Sequence, residues 1–221
     1  MLAIFIVLAQ VFSITSLSLG VLDQHASGEI SGNVTKLTEN AVILNSMGRF
    51  NDALSYLDKA LSIDPNYVLA LINKGISLDG LGRFDEEMMY YDKALSVDPN
   101  DTSIIVNKGI ALEGLKKFDQ AIQYYDKALS IDPNNIQALI NKGRSLSQLQ
   151  RFEEAITNYD KALKIEPQNI DALISKGLSL YNLGKNTEAI SYFDKVLTID
   201  PNNTFALNLK NSVKMNPKGV Q

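Results

Sequence analysis

Asparagine stands at positions 73, 107 and 141 and serine at 175, each 34 residues after the last. A carboxamide offers one acceptor and two donors. At a constant rise, a row of such groups can pair with the backbone of an extended chain whatever its side chains are. That is binding chemistry. Groups that make and break bonds are scarce. The chain has no cysteine and one histidine, His25. Disulfides, thiolate metal sites, a cysteine nucleophile and a histidine-rich zinc site are therefore excluded. A serine–histidine–acid arrangement would have to use His25, which lies in a polar stretch and reads as a solvated linker residue. No phosphate loop, paired-carboxylate cleft, nucleophile elbow or metal cluster is legible. The expectation is a protein with no catalytic residue, no metal site and no cofactor. A formal net charge of -4 and a pI near 5.1 give no electrostatic reason to hold nucleic acid.

The amide row belongs to a larger rhythm. Pro65, Pro99, Pro133, Pro167 and Pro201 share the 34-residue interval, each closing a stretch like "YYDKALSIDPNN". A period of that length reads as stacked supersecondary units. In residues 102–135, Ile105, Gly109 and Leu112 fall at i, i+4 and i+7, one face of a helix. "KKF" interrupts, and Ala121, Tyr125, Ala128 and Leu129 then restart the pattern. Each unit is thus two short helices joined by a tight turn. Gly48, Gly82 and Gly184 mark that turn in three units. Lys116 and Gln150 replace the glycine in the others, at a cost of about 1 kcal/mol each. Proline ends the second helix, and the Asn or Asp after it caps the next. Gly75, Gly109, Gly143 and Gly177 recur on the first helix and Ala53, Ala121, Ala155 and Ala189 on the second. Small residues there let the two backbones approach, with Phe50, Phe84, Phe118 and Phe152 plugging the junction. One hairpin encloses too little apolar surface to fold alone, so the units must stack and share a core.

With a small residue at the eighth place, Ala at the twentieth, an aromatic at the twenty-fourth, Ala at the twenty-seventh and Pro at the thirty-second, the unit resembles the tetratricopeptide repeat. Counted from Val34, five repeats cover residues 34–67, 68–101, 102–135, 136–169 and 170–203. Residues 204–215, "TFALNLKNSVKM", read as a capping helix, and 216–221 as a tail. The resemblance implies an all-α fold, an α-solenoid of stacked helix-turn-helix units in a right-handed superhelix. Some places depart from the pattern. Glu87 stands where alanine belongs, opposite Gly75. It either snorkels out or sits partly buried with a raised pKa. Asn186 replaces the junction aromatic and Val196 an alanine, which points to looser packing in the fifth repeat. Asn40 and Ala41 weaken the start of the first.

The family's stacked first helices line a concave groove that binds peptides or partner proteins. The resemblance puts Asn73, Asn107 and Asn141 at the sixth place of that groove. Ile72, Ile76, Val106, Ile110, Ile140, Ile174 and Leu178 occupy the fifth and ninth places, expected to face it. Arg144 adds one positive charge, against Asp79 and Glu113 at the twelfth place. That set favours an apolar or mildly basic peptide. Two alternatives stay open: asparagine is common at its place in this family, and neighbouring helices cover the apolar ones. Apolar fifth places argue against the family's carboxylate clamp. Lys74, Lys108, Lys142, Lys176 and Lys210 form a second row, and Asp58, Asp92, Asp126, Asp160 and Asp194 a third. Mutual pairing on solvated faces is preferred over an anion-binding strip. The expected function is a non-catalytic protein–protein interaction scaffold. The alternative is a structural or assembly factor acting through self-association as a homo-oligomer.

Residues 1–22, "MLAIFIVLAQVFSITSLSLGVL", carry no charged side chain. As a helix they would cover roughly 33 Å, enough for a bilayer core. They read as a signal peptide, with Ser18 and Gly20 near the cleavage point, or as an uncleaved membrane anchor. Residues 23–33 read as a linker. The chain is therefore expected to be exported or membrane-anchored, with its repeats outside the cytoplasm and no other membrane contact.

Overall fold

Proline at a 34-residue interval decides where every second helix stops. Asp64, before Pro65, is extended at φ -129°, and Asp132 and Asp200, before their prolines, adopt the same geometry. A proline ring excludes helical backbone from the residue before it. In the turn that follows, the Asp64, Asp98, Asp132 and Asp200 carboxylates accept the amide N–H two residues on. Asp101, Asn135, Asn169 and Asn203 then cap the next helix by accepting from its first turn. The early cap position, Tyr67, has no side chain that can do this.

The computed structural model describes residues 32–218. Among them are eleven helices and no strand. Helix α1 covers 32–46, within which residues 32 and 33 lie in the stretch read above as linker. It is followed by α2 (Phe50–Ile63), α3 (Val68–Gly80), α4 (Phe84–Val97), α5 (Thr102–Gly114) and α6 (Phe118–Ile131). Then come α7 (Ile136–Gln148), α8 (Phe152–Ile165), α9 (Ile170–Asn182), α10 (Asn186–Ile199) and α11 (Thr204–Met215). The chain is an all-α array of helical hairpins. It divides into two compact regions, one ending at Val97 and one starting at Asp98. The first holds α1–α4 and the second α5–α11. Residues 1–22 and His25 lie outside the described residues. No described helix is long and apolar enough to cross a membrane.

All five hairpin turns place one residue in the left-handed region: Gly48, Gly82 and Gly184 near φ 70°, but also Lys116 at 57° and Gln150 at 60°. The residue after each donates back to the carbonyl five residues earlier, as Lys117 does to Leu112 at 2.8 Å and Arg151 to Leu146 at 2.9 Å. The turn is thus built identically with or without glycine.

Within each hairpin the recurrent glycine meets an aromatic ring, not a backbone. Gly75, Gly109, Gly143 and Gly177 lie under the rings of Tyr91, Tyr125, Tyr159 and Phe193. A β-carbon at Gly143 would come within 2.5 Å of Tyr159, and one at Gly177 within 2.6 Å of Phe193. The first repeat keeps the volume but changes the shares. Ala41 and Leu57 hold the equivalent places, both fully buried in one apolar cluster with Val34, Ala53, Ala60 and Ala70. In the second region one cluster runs from Ile122 of α6 to Ala172 of α9, so the core is continuous across repeats. Val196 is fully buried with Leu173 and Ala206.

Glu87 does not snorkel. It is 2 % exposed, and its Oε2 has no partner among the described residues. Burial, followed by the charge of Asp79 on α3, pushes its carboxyl up to about 7 against a hydrogen bond with Tyr91. Because this folded pKa lies above the unfolded value, native Glu87 keeps its proton where the unfolded chain has lost it. The stability it permits is complete below about pH 4.5 and is lost as pH rises through 7.

Two predictions follow from this packing. Replacing Lys116 and Gln150 together by glycine should raise the urea midpoint with an unchanged slope, by about 0.5–1 kcal/mol per site. An unmoved midpoint would mean that the left-handed side chains cost nothing. Glu87→Gln should flatten the decline in unfolding free energy between about pH 5 and 7, a difference on the order of 2–3 kcal/mol by pH 8. Parallel pH–stability curves for the two chains would refute the assignment.

Candidate functional site

The first helices lie beside one another inside each region, and a polar seam joins them. In the first region the buried Ser77 hydroxyl of α3 donates to Asn45 Oδ1 of α1 at 2.7 Å. Asn45 Nδ2 donates to the Asn73 carbonyl at 3.3 Å. In the second region Ser145 of α7 donates to Glu113 of α5 at 2.5 Å. Ser179 of α9 pairs with Ser147 of α7 at 3.0 Å. Each of the three serine contacts runs from the tenth place of one repeat to the twelfth of the repeat before it. Sequence reasoning missed this seam. Its signal is a 32-residue spacing between a serine and an earlier polar residue, two short of the main period.

The seam changes the reading of Glu113. Its side chain is mostly covered, bonded by Ser145 and, at 3.4 Å, by Arg144. Burial raises its pKa, and the Ser145 hydrogen bond and the Arg144 charge oppose the rise. Glu113 is thus a joint between helices more than an open negative charge.

The lysine and aspartate rows do pair, but the lysines are not solvated. Lys74 bonds Asp58, Lys142 bonds Asp126, Lys176 bonds Asp160 and Lys210 bonds Asp194. These four lysine side chains are 11–23 % exposed. Three lysines also lie over a tyrosine of their own repeat: Lys74 on Tyr90, Lys108 on Tyr124 and Lys176 on Tyr192, at 4.4–4.9 Å from the ring centres. Lys176 further donates to the Tyr192 hydroxyl at 2.6 Å. Burial opposes the charge on Lys74 and Lys176, but the aspartate and tyrosine partners outweigh it and hold both pKa values up. Each paired lysine therefore ties the second helix of one repeat to its neighbour.

What remains on the first helices is uneven. Ile76 and Ile110, at the ninth place, are 38 % and 39 % exposed. Arg144 at the same place is also exposed. Asn73, Asn107, Ile72, Ile174 and Leu178 are half-buried, the last two packed against core clusters. Val106, Ile140 and Asn141 are buried, and Ile140 belongs to the core cluster of α6–α9. Asn73 Nδ2 donates to the Leu69 carbonyl of its own helix at 2.8 Å. Asn141 Oδ1 accepts from Arg144 at 3.3 Å. The amide row is thus partly turned inward. In the first region Val42, Leu69 and Ile76 leave apolar surface open on α1 and α3.

Two surface hollows lie elsewhere. One, of about 720 Å³, follows the turn Ile165–Asp171. The other, about 340 Å³, lies between α1 and α2 beside Ile43, Arg49 and Tyr56. Neither is lined by a residue of the amide row. Among the described residues no three of His, Cys, Asp or Glu come close enough to hold a metal ion.

Sequence models of the tetratricopeptide repeat match residues 41–67, 68–101, 104–135, 124–157 and 170–203, and one described as TPR repeat matches 143–184. No curated protein matches the sequence. Among solved structures, pilF of Pseudomonas aeruginosa is similar with a TM-score of 0.74 at 20 % identity, over 85 % of this chain and 86 % of that one. A tetratricopeptide repeat protein of Parabacteroides merdae has a TM-score of 0.70 at 20 % identity, over 83 % and 73 %. YrrB, described as a TPR protein with an unusual peptide-binding site, has 0.62 at 23 % identity, over 79 % and 90 %. Likeness at these identities is one of fold. The repeat matches run from residue 41 to 203, over the hairpins whose glycine, aromatic and proline places have just been described, and the chain belongs to the tetratricopeptide repeat family.

Proposed function

We propose that the chain is a non-catalytic interaction scaffold whose first helices hold an extended peptide or a partner protein. One observation carries the reading. With Lys74, Lys142, Lys176, Lys210 and the seam serines tied into packing, Ile110 and Arg144 stay open on α5 and α7, with Asn107 of α5 half-buried. Apolar side chains left open next to hydrogen-bonding groups are what a peptide covers. YrrB, similar in fold, is described as having a peptide-binding site, which supports the same use here. Arg144 is paired with the mostly covered Glu113 at 3.4 Å, so this face carries little net charge and the preferred ligand is apolar.

Self-association is the second reading. Ile43 and Met47 of α1 are exposed, whereas Ser77, Ser145 and Ser179, at the place of Ile43, are fully covered. On α11, Phe205 and Leu207 are exposed as well. These are apolar helix faces on which a second copy could stack.

The proposal includes export or tethering through residues 1–22, with the repeats outside the cytoplasm. Its support is the run of 22 residues without a charge.

The two binding readings part on simple measurements. Asn107→Ala with Ile110→Ser should weaken capture of a co-purifying partner by about tenfold, as loss of one apolar anchor and one amide implies, while the melting curve stays put. Undiminished capture by the double variant counts against the first-helix face. Light scattering should then report a constant mass on dilution; a mass that climbs with concentration transfers the case to self-association. Fractionation of cells making the full chain should place it in the membrane or outside the cytoplasm, and an entirely cytoplasmic product ends the export reading.

A further inference from the structure

Asn186 stands where the other four repeats carry Phe50, Phe84, Phe118 and Phe152. On sequence alone the exchange removes an aromatic plug. The structure gives the amide an occupation. Pro217 excludes helical backbone at Asn216, which sits at φ -131° and ψ 71° and ends α11. The chain then runs over the junction of α9 and α10. Asn186 Nδ2 donates to the Lys218 carbonyl at 2.6 Å, and Asn186 Oδ1 accepts the Lys218 amide N–H at 3.1 Å. One carboxamide thus satisfies both backbone groups of one residue, as a neighbouring strand would. Asn186 Nδ2 also donates to the Gly184 carbonyl at 3.0 Å, which fixes the orientation of the amide. The Tyr181 hydroxyl donates to the Asn216 carbonyl at 2.9 Å. The Lys218 ammonium donates to Asn182 Oδ1 at 2.5 Å and lies 4.9 Å from the centre of the Tyr181 ring.

The contacts divide by what they read. The Asn186 amide and the Tyr181 hydroxyl reach only backbone atoms of the tail and are indifferent to sequence. Asn182 and the Tyr181 ring engage the lysine head through a hydrogen bond and a cation–π contact. Tyr181 occupies the twelfth place of its repeat, where the earlier repeats have Asn45, Glu113 and Ser147, the residues that receive the seam from the following first helix. At the end of the array the equivalent side chain receives a chain segment.

We infer that Tyr181, Asn182 and Asn186 form a clamp for an extended peptide bearing a lysine, and that residues Asn216–Lys218 of the same chain occupy it in cis. A tethered segment presents itself at an effective concentration that an external peptide must exceed. The tail therefore holds the clamp shut against weak ligands. The clamp lies at the last repeat, apart from Asn107 and Ile110, so the capture assay on that pair and the test below succeed or fail separately.

The probe is a fluorescein-labelled peptide of residues 214–221, titrated against full-length chains by anisotropy. Lys218→Pro removes from the tail the amide N–H and the ammonium that the clamp binds, while leaving the clamp intact. The peptide should bind the Lys218→Pro chain at least about tenfold more tightly than the intact chain. Adding Asn186→Phe, the residue of the other repeats, should abolish that binding. A second measurement reads the cis contact directly. Exchange of the Lys218 amide proton should be slowed in the intact chain and should return to the free rate in Asn186→Phe. Equal affinity for the intact and Lys218→Pro chains, absence of saturable binding to Lys218→Pro in the millimolar range, or an Asn186→Phe chain that binds and exchanges like its parent would each overturn the proposal.

Discussion

An aromatic ring resting on a glycine holds each hairpin of the second to fifth repeats together, and the rest of the architecture depends on it. The Tyr91, Tyr125, Tyr159 and Phe193 rings fill the space a side chain would take at Gly75, Gly109, Gly143 and Gly177. Burying one such ring is worth about 2–3 kcal/mol. More important is the spacing it sets. With the two helices of a hairpin at that distance, the lysine one place before the glycine reaches the aspartate of the preceding repeat, as Lys142 does with Asp126. The serine two places after it reaches the preceding first helix, as Ser145 does with Glu113. The first repeat obeys the same constraint with Ala41 and Leu57. A larger small residue is balanced there by a smaller large one, as expected where total volume is what a close-packed core conserves.

The recurrent lysines and serines of the first helices are structural. Lys74, Lys142, Lys176 and Lys210 each bridge two repeats by hydrogen bonding to an aspartate, and a tyrosine ring lies beside Lys74 and Lys176. The serines close a seam between first helices. Such pairs add little as isolated surface contacts, but each recurs at a repeat boundary and specifies which residue meets which. Specificity between near-identical surfaces has to come from directional bonds, since apolar contact alone tolerates sliding. Glu87 is the place where this economy fails. It fills an alanine position, one of its oxygens has no partner among the described residues, and it holds its proton to about pH 7. Conflict of that kind between local chemistry and global packing marks a weak point in a fold.

The helices were legible because their punctuation is local. Proline, the Asp or Asn that follows it, and the residue in each tight turn act on their own backbone, and the turn forms at Lys116 and Gln150 as it does at Gly48. The glycine row was legible as a need for space, though not as a seat for a ring, because a ring and a backbone ask for the same absence of a side chain. The candidate binding row was less legible. Asn107 and Asn141 are equivalent in sequence, yet one is half-buried and the other buried and bonded to Arg144. Val106 and Ile110 are alike in type, yet one is buried and the other open. Exposure on a repeat depends on the residues one turn along and on the next helix, and a period cannot express it.

The amino-acid sequence alone determined the helical hairpin, its length, its stops and its need to stack, because each follows from short-range backbone sterics and from the apolar count of a single repeat. Only the tertiary structure decided how the polar rows are spent. It turned Glu113 and the lysines inward, closed Asn141 under its neighbour, left Ile76 and Ile110 open, and brought Lys218 to Asn186 across 32 residues. Those outcomes rest on contacts between residues 16 to 32 positions apart in the chain, as in Lys142 with Asp126 and Ser145 with Glu113, and local sequence does not fix them.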